Sequence, residues 1–66
     1  MDKQYYLVVG GLRNVVFTNN PVSNPDEAQE DAFGFTHSDF KCYPVGPNKP
    51  NISAVQYVIK NGLKIL

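Results

Sequence analysis

Apolar residues open the chain in two short blocks that are separated by a glycine-rich turn. The first block is Tyr5–Val9 and the second is 15–18, with Gly10 and Gly11 between them. Side chains of a strand alternate between its two faces, and here both faces carry apolar residues. We therefore predict a β-hairpin whose second face is covered by a helix, a second subunit or a partner protein.

Capping residues predict two helices further along the chain. Asn24 is followed three positions later by Glu27, which is typical of a helix N-terminus, and Gly34 is placed to end a helix of 25–33. Ser53 begins a second helix in the same way and Gly62 ends it. The apolar positions of this second helix that we expect in the core are Val55, Val58 and Ile59.

A third strand is predicted at 40–43, where Pro44 indicates either an edge position or the end of the strand. The last residues, 63–66, are apolar enough for a short closing strand. The order is β-β-α-β-α with a possible final strand, which predicts one α+β domain spanning 1–66. We expect a small single-layer antiparallel or mixed sheet with two short helices on one face.

The two faces of the hairpin then receive different predicted roles. The set expected under the helices is Tyr5, Leu7, Val9, Val15 and Phe17. The opposite set, Tyr6, Val8 and Val16, is expected on the outer face of the sheet, with Tyr43 as a further candidate. An open apolar patch on a small domain favours contact with another protein, and these three residues are the predicted anchor.

The distribution of charge predicts an acidic rim around this apolar anchor. The formal net charge is zero, yet the segment 14–40 holds five acidic residues and no lysine or arginine. Four of them lie on the first predicted helix, where a solvated helix face is the ordinary explanation and contact with a basic partner is the functional one. These four candidate residues are Asp26, Glu27, Glu30 and Asp31.

The chain is short and has few residues suited to chemistry. Cys42 is its single cysteine and His37 its single histidine, so neither an internal disulfide nor a Cys/His zinc site can form within the chain. Cys42 lies in an apolar strand and His37 in a polar loop, which favours structural roles for both. We expect no enzyme, no metal and no cofactor, and the opening residues indicate no signal peptide, which suggests a cytoplasmic protein.

Two parts of the chain resemble known families. The first resembles the small hybrid-binding domain found ahead of some ribonucleases H and in viroplasmins, and it comprises residues 5–9, Gly11, 16–18 and 40–41. This resemblance implies nucleic-acid binding. The tryptophan and the basic surface of that family are missing here. The segment 57–65 is similar to the tail of phycobilisome capping-linker domains. Each resemblance covers too little of the chain to assign a family.

These observations predict a small non-enzymatic protein-interaction module that binds a larger protein or a second copy of itself. Accessory subunits and inhibitors, including those encoded by phages or other mobile elements, are often of this kind. The alternative is a domain that binds single-stranded nucleic acid by stacking bases on sheet-surface tyrosines. Its candidate residues are Tyr5, Tyr43, Arg13, Lys41 and Lys49, with Tyr6 as a further tyrosine.

Overall fold

A computed structural model describes residues 3–11 and 14–62 and shows a three-stranded antiparallel sheet with two α-helices. In chain order the elements are β1 (Tyr5–Val9), β2 (Val15–Phe17), α1 (Pro25–Phe33), β3 (Lys41–Gly46) and α2 (Ala54–Asn61). This confirms the α+β class, while the suggested closing strand at 63–66 lies outside the described residues. Neither helix in the described part is long and apolar enough to cross a membrane.

The first two strands form the predicted hairpin. β1 is the central strand of the order β2-β1-β3, and Leu7 is paired with Phe17 on one side and with Tyr43 on the other. The Gly10 N–H donates to the Asn14 carbonyl at 2.7 Å across the turn. The glycines therefore serve the strand-to-strand connection that the sequence predicts.

β3 runs further than its sequence predicts, through Pro44 to Gly46. It is an edge strand, so the N–H that proline lacks is not needed for a second neighbour. Tyr5 is paired with Gly46 and Tyr6 with Pro44, which leaves Val45 as an extra residue in a bulge. Of the two alternatives for Pro44, the edge position is found and the end of the strand is not, since pairing with β1 continues beyond Pro44 through the bulge.

Both helices begin and end at the residues that the capping patterns predicted. The Asn24 side chain accepts a hydrogen bond from the Glu27 N–H at 2.9 Å, and the Glu27 carboxylate accepts one from the Ser23 N–H at 3.1 Å. For α2, the Ser53 hydroxyl accepts from the Gln56 N–H at 3.1 Å. The residues that end the helices in the left-handed conformation are Gly34 and Gly62.

α1 packs on β1 and β3 and buries the hairpin face that was expected to be open. Tyr6 and Val8 are buried in one cluster with Val22 and with Ala28 of α1. Val8 has no exposed surface and Tyr6 retains 7%. The prediction of an outer patch at Tyr6 and Val8 is therefore wrong, because α1 lies on that face.

α2 packs on β2 from the opposite side of the sheet. Its Tyr57 ring meets the Phe17 ring edge-on, with centroids 5.5 Å apart. Phe17 is paired with Leu7, whose side chain points away from those of Tyr6 and Val8. The helices therefore lie on opposite faces, and the prediction that both lie on one face is wrong. Each apolar face of the hairpin therefore has a helix packed on it, α1 on β1 and α2 on β2.

The orientation of α2 also differs from the prediction. Val58 is buried, but Val55 is 55% exposed and Ile59 is 74% exposed. Val55 and Ile59 are one helical turn apart, so they share a side of α2 that faces away from Phe17 and the sheet. Apolar residues occupy 55, 57, 58 and 59, a pattern that permits either side of the helix to face inward. Packing of Tyr57 on Phe17 selects the side that carries 57 and 58.

Candidate functional site

Four aromatic side chains gather just beyond the C-terminal end of α1. The Phe40 ring is central, with ring centroids 4.9 Å from Phe33, 5.3 Å from Phe35 and 5.6 Å from His37. Phe35 is 56% exposed although it belongs to this aromatic cluster. The cluster of Phe33, Phe35, His37 and Phe40 thus presents aromatic ring surface to solvent.

Backbone hydrogen bonds hold the loop that carries this cluster. Gly34 adopts a φ of +84° and turns the chain away from α1. The side-chain oxygen of Gln29, a buried residue of α1, accepts a hydrogen bond from the His37 N–H at 2.8 Å. The Phe40 N–H donates to the His37 carbonyl at 3.2 Å. These bonds tie the loop to a helix, so the aromatic rings are positioned before any ligand arrives.

The aromatic cluster forms one side of a cleft of about 470 Å³, and the hairpin turn forms the other. A Cβ atom at Gly10 would lie 3.4 Å from Cζ of Phe33, so the ring lies against the turn. We call this feature the aromatic cleft. Its lining residues are Gly10, Gly11, Asn14, Phe33, Phe35, His37, Asp39 and Phe40.

The described lining of the aromatic cleft carries a carboxylate and no lysine or arginine. Asp39 is at its rim, with 73% of its side chain exposed. The Asp39 N–H donates to Nδ1 of His37 at 3.1 Å, and a carboxylate oxygen lies 3.7 Å from the same nitrogen. A smaller cleft beside it shares His37 and Phe40 and is lined by Asp26 as well. The described lining of each cleft thus contains one carboxylate and no lysine or arginine.

The predicted apolar anchor is not available at the surface as a unit. Tyr6 and Val8 are buried beneath α1, and Val16 is half-buried beside Val8 in the register of the hairpin. A partner could contact Tyr6 or Val8 only if α1 moved away. Among the described residues, the large apolar side chains that are exposed are instead Phe35, Val55 and Ile59.

Two of the four acidic residues that were predicted to contact a partner form hydrogen bonds within the protein. Glu27 bonds to the backbone ahead of α1, and Asp31 accepts hydrogen bonds from the Asn19 N–H and the Asn20 side-chain amide. Asp31 thereby ties the loop after β2 to α1. Asp26 and Glu30 are exposed on the same helix. A role for these acids in binding a partner stays a prediction.

The residues proposed for nucleic-acid binding are partly brought together. Tyr43 is paired with Leu7, and Lys41 with Val9, so both lie on the sheet face opposite α1, where Tyr5 also lies. The expectation that Tyr43 shares a face with Tyr6 and Val8 is therefore wrong. The two tyrosines are half-buried and Lys41 is exposed. Lys49 is exposed in the loop that follows β3. Arg13 lies outside the described residues.

Cys42 has the environment of a structural cysteine. It packs against the core cluster, and its thiol donates a hydrogen bond to the Pro25 carbonyl at 3.6 Å. Burial raises the pKa of the Cys42 thiol, the nearby Asp26 adds to the increase, and a hydrogen bond with Gln29 opposes it. A raised pKa disfavours the thiolate that nucleophilic chemistry requires. The described residues contain no group of three potential metal ligands.

The sequence interpretation missed the aromatic cleft because it treated its members separately. The sequence patterns assign His37 to a polar loop and give Phe35 no role. A usable signal was present, since three phenylalanines fall within 33–40 around a helix-ending glycine. Their approach to the hairpin turn depends on residues more than twenty positions earlier, which no local pattern reveals.

Comparison of the chain with protein-family models, curated proteins and solved structures found no match.

Proposed function

We propose that this protein is a non-enzymatic protein-interaction module, an accessory subunit or inhibitor, that binds its partner through the aromatic cleft. The observation that carries the proposal is the exposure of 56% of Phe35 within a cluster of four aromatic rings. Aromatic side chains are enriched at protein interfaces, where a few of them provide most of the binding energy. Phe35 is the anchor in this proposal.

The way in which the cleft is held supports the same proposal. Ordering a flexible loop on binding costs free energy, and a loop that is already ordered avoids that cost. The bond from the His37 backbone to Gln29 and the contact of Phe40 with Phe33 hold the loop against α1. A partner would therefore meet rings that are already in position.

Replacing Phe35 by serine is expected to abolish capture of the partner without unfolding the protein. The exposed ring contributes little to the core, whereas loss of an interface anchor costs about 2 kcal/mol or more of binding free energy, about thirtyfold in affinity. The measurement uses tagged protein in an extract of the cells that encode it, with captured proteins quantified by mass spectrometry. The captured protein is then purified and its affinity measured directly.

Ile59→Ser is the matched control, because it also removes an exposed apolar side chain but lies on α2. A partner that is retained by Ile59→Ser and lost by Phe35→Ser supports the aromatic cleft. Loss with Ile59→Ser alone would assign binding to α2 and contradict the proposal. Sedimentation of the purified protein decides whether the captured partner is a second copy of the chain.

A second candidate function is binding of single-stranded nucleic acid at the β3 edge of the sheet face opposite α1, away from the β2 edge on which α2 packs. The observation that favours it is the position of Tyr43 and Lys41 at alternate positions of the edge strand β3, with Tyr5 two positions from Leu7 on the same face. Tyrosine rings stack on bases and lysine contacts phosphates. The face would therefore combine both kinds of contact along one edge of the sheet.

Titration of the protein with fluorescently labelled single-stranded oligonucleotides at low salt tests this candidate. Binding is expected to weaken as the salt concentration rises, because phosphate contacts release counterions. Lys41→Gln is expected to weaken it further, whereas Lys60→Gln, a matched change on α2, is expected to have no effect. Absence of binding at low salt, or equal effects of the two lysine variants, would contradict this candidate.

A further inference from the structure

We propose that Pro44 closes the outer edge of β3 to a strand from a second copy of this chain. The edge of a sheet presents backbone N–H and C=O groups that can pair with another strand. β3 is such an edge among the described strands, since their order is β2-β1-β3. The described lining of the aromatic cleft contains no residue of β3, so this inference does not depend on the proposed function.

Hydrogen bonds of the hairpin determine which backbone groups of β1 point toward β3. The Gly10 N–H donates to the Asn14 carbonyl at 2.7 Å across the turn. At the other end of the hairpin, the Thr18 N–H donates to the Tyr6 carbonyl at 3.0 Å. In an antiparallel ladder, successive residues direct their backbone groups to opposite sides of the strand. Positions 6, 8 and 10 therefore face β2, and positions 5, 7 and 9 face β3.

The register between β1 and β3 then places Cys42 and Pro44 outward. Tyr43 is paired with Leu7, so its N–H and C=O groups are directed to β1. Its neighbours Cys42 and Pro44 direct their backbone groups the other way, toward the open edge. Pro44 is exposed, as expected for a residue at an edge that faces solvent. The N–H that proline lacks is therefore missing from the outer side of β3.

This missing donor weakens pairing between two copies of β3. In an antiparallel pair related by a two-fold axis at Tyr43, Cys42 of each copy lies opposite Pro44 of the other. Two residues at such a position exchange two hydrogen bonds when both have an N–H group. Proline can only accept, so one of the two bonds is missing at each position. The pair thus loses half of the hydrogen bonds at its centre.

A shifted register does not restore these bonds. If the two-fold axis lay at Cys42, Pro44 of one copy would lie opposite Phe40 of the other. The Phe40 N–H already donates to the His37 carbonyl at 3.2 Å, and Pro44 has no N–H to offer in return. Neither bond of that position can form without loss of a bond within the chain.

Two further features of β3 act in the same direction as Pro44. The bulge at Val45 twists the edge, which disfavours a straight partner strand beyond Pro44. Lys41 is exposed at the other end of β3, and a lysine on an edge strand disfavours addition of another strand. Pro44 lies between them, so each part of this edge carries an obstacle to pairing.

Sedimentation of the purified protein, at concentrations that reach the millimolar range, tests the inference. Pro44→Thr is expected to raise the self-association constant at least about tenfold, because two hydrogen bonds per pair are regained and each contributes about fivefold. Pro47→Thr is the matched control, since it makes the same change at an exposed proline just beyond β3. It is expected to behave as the unaltered protein does. Circular dichroism establishes that each variant is folded.

Amide hydrogen exchange, followed by NMR, identifies the surface involved. In the unaltered protein, the Tyr43 N–H is expected to exchange slowly and the Cys42 N–H rapidly, because the first is bonded to β1 and the second faces solvent. In Pro44→Thr, exchange of the Cys42 N–H is expected to slow as the protein concentration rises. Self-association through the aromatic cleft would leave exchange at Cys42 unchanged, so the two surfaces are distinguished.

Three results would overturn the inference. The first is a folded Pro44→Thr variant that associates no more strongly than the unaltered protein, and the second is equal association of Pro47→Thr. The third is a Cys42 amide that is as protected as that of Tyr43 in the unaltered protein, because the edge would then already be paired. Pro44→Ala restores the same N–H with a smaller side chain and takes the place of Pro44→Thr if the threonine variant does not fold.

Discussion

Replacement of Val8 by aspartate is expected to unfold the protein. Val8 has no exposed surface and lies in the core cluster with Ala28 of α1. An unpaired carboxylate at this position costs at least about 4 kcal/mol, either as a buried charge or through expulsion of α1 from the sheet. Domains have about 0.05–0.15 kcal/mol of stability per residue. For a chain of 66 residues this amounts to only about 3–10 kcal/mol.

Circular dichroism in a urea titration measures this effect, and Val55→Asp provides a control with the same chemical change. Val55 is 55% exposed and lies in the first turn of α2, where a carboxylate interacts favourably with the helix dipole. The control is expected to change the free energy of unfolding by less than about 1 kcal/mol. If Val8→Asp were as stable as Val55→Asp, the Val8 face would be open to solvent, as the hairpin pattern alone suggested.

Replacement of Leu7 by alanine is expected to lower the free energy of unfolding by about 2–5 kcal/mol. Leu7 also has no exposed surface, but it lies on the other face of the sheet from Val8. It is paired with Phe17, which contacts Tyr57 of α2. Truncation would leave a cavity on this face of the sheet, and the urea midpoint should fall without a change in the slope of the transition.

Ile59→Ala is the control for Leu7→Ala, because it shortens an aliphatic side chain that is 74% exposed on α2. Its expected effect is below about 0.5 kcal/mol. Similar effects of the two substitutions would show that the face bearing Leu7 is not packed. Together, the Val8 and Leu7 variants test whether each face of the hairpin has its own cover.

Helix ends and strand connections could be predicted because they depend on neighbours in the chain. The bond from the Glu27 N–H to Asn24 spans three residues, and the turn bond from Gly10 to Asn14 spans four. The residue types at these few neighbouring positions favour the cap and turn hydrogen bonds, so the sequence pattern identified the helix ends and the hairpin correctly. The end of β3 was harder to predict, because pairing with β1 carries this strand through Pro44 to Gly46.

The candidate site could not be predicted in the same way. Phe33 lies against Gly10, and the His37 backbone is bound by the Gln29 side chain, so the cleft depends on contacts between separate parts of the chain. The exposed acids Asp26 and Glu30 were recognised as surface residues. The bonds of Asp31 to Asn19 and Asn20 were not foreseen, since they join α1 to a distant loop.

Local sequence was therefore sufficient for the two capped helices, the hairpin and the α+β class. It left open which face of the hairpin each helix covers, because Tyr6 and Val8 are as apolar as Leu7 and Val9. Packing decided that point, with Ala28 placed against the Tyr6 and Val8 face and Tyr57 against Phe17. These contacts join residues that are far apart in the chain, and their energies depend on shape as well as on polarity. The same long-range packing leaves Phe35 at the surface beside Asp39.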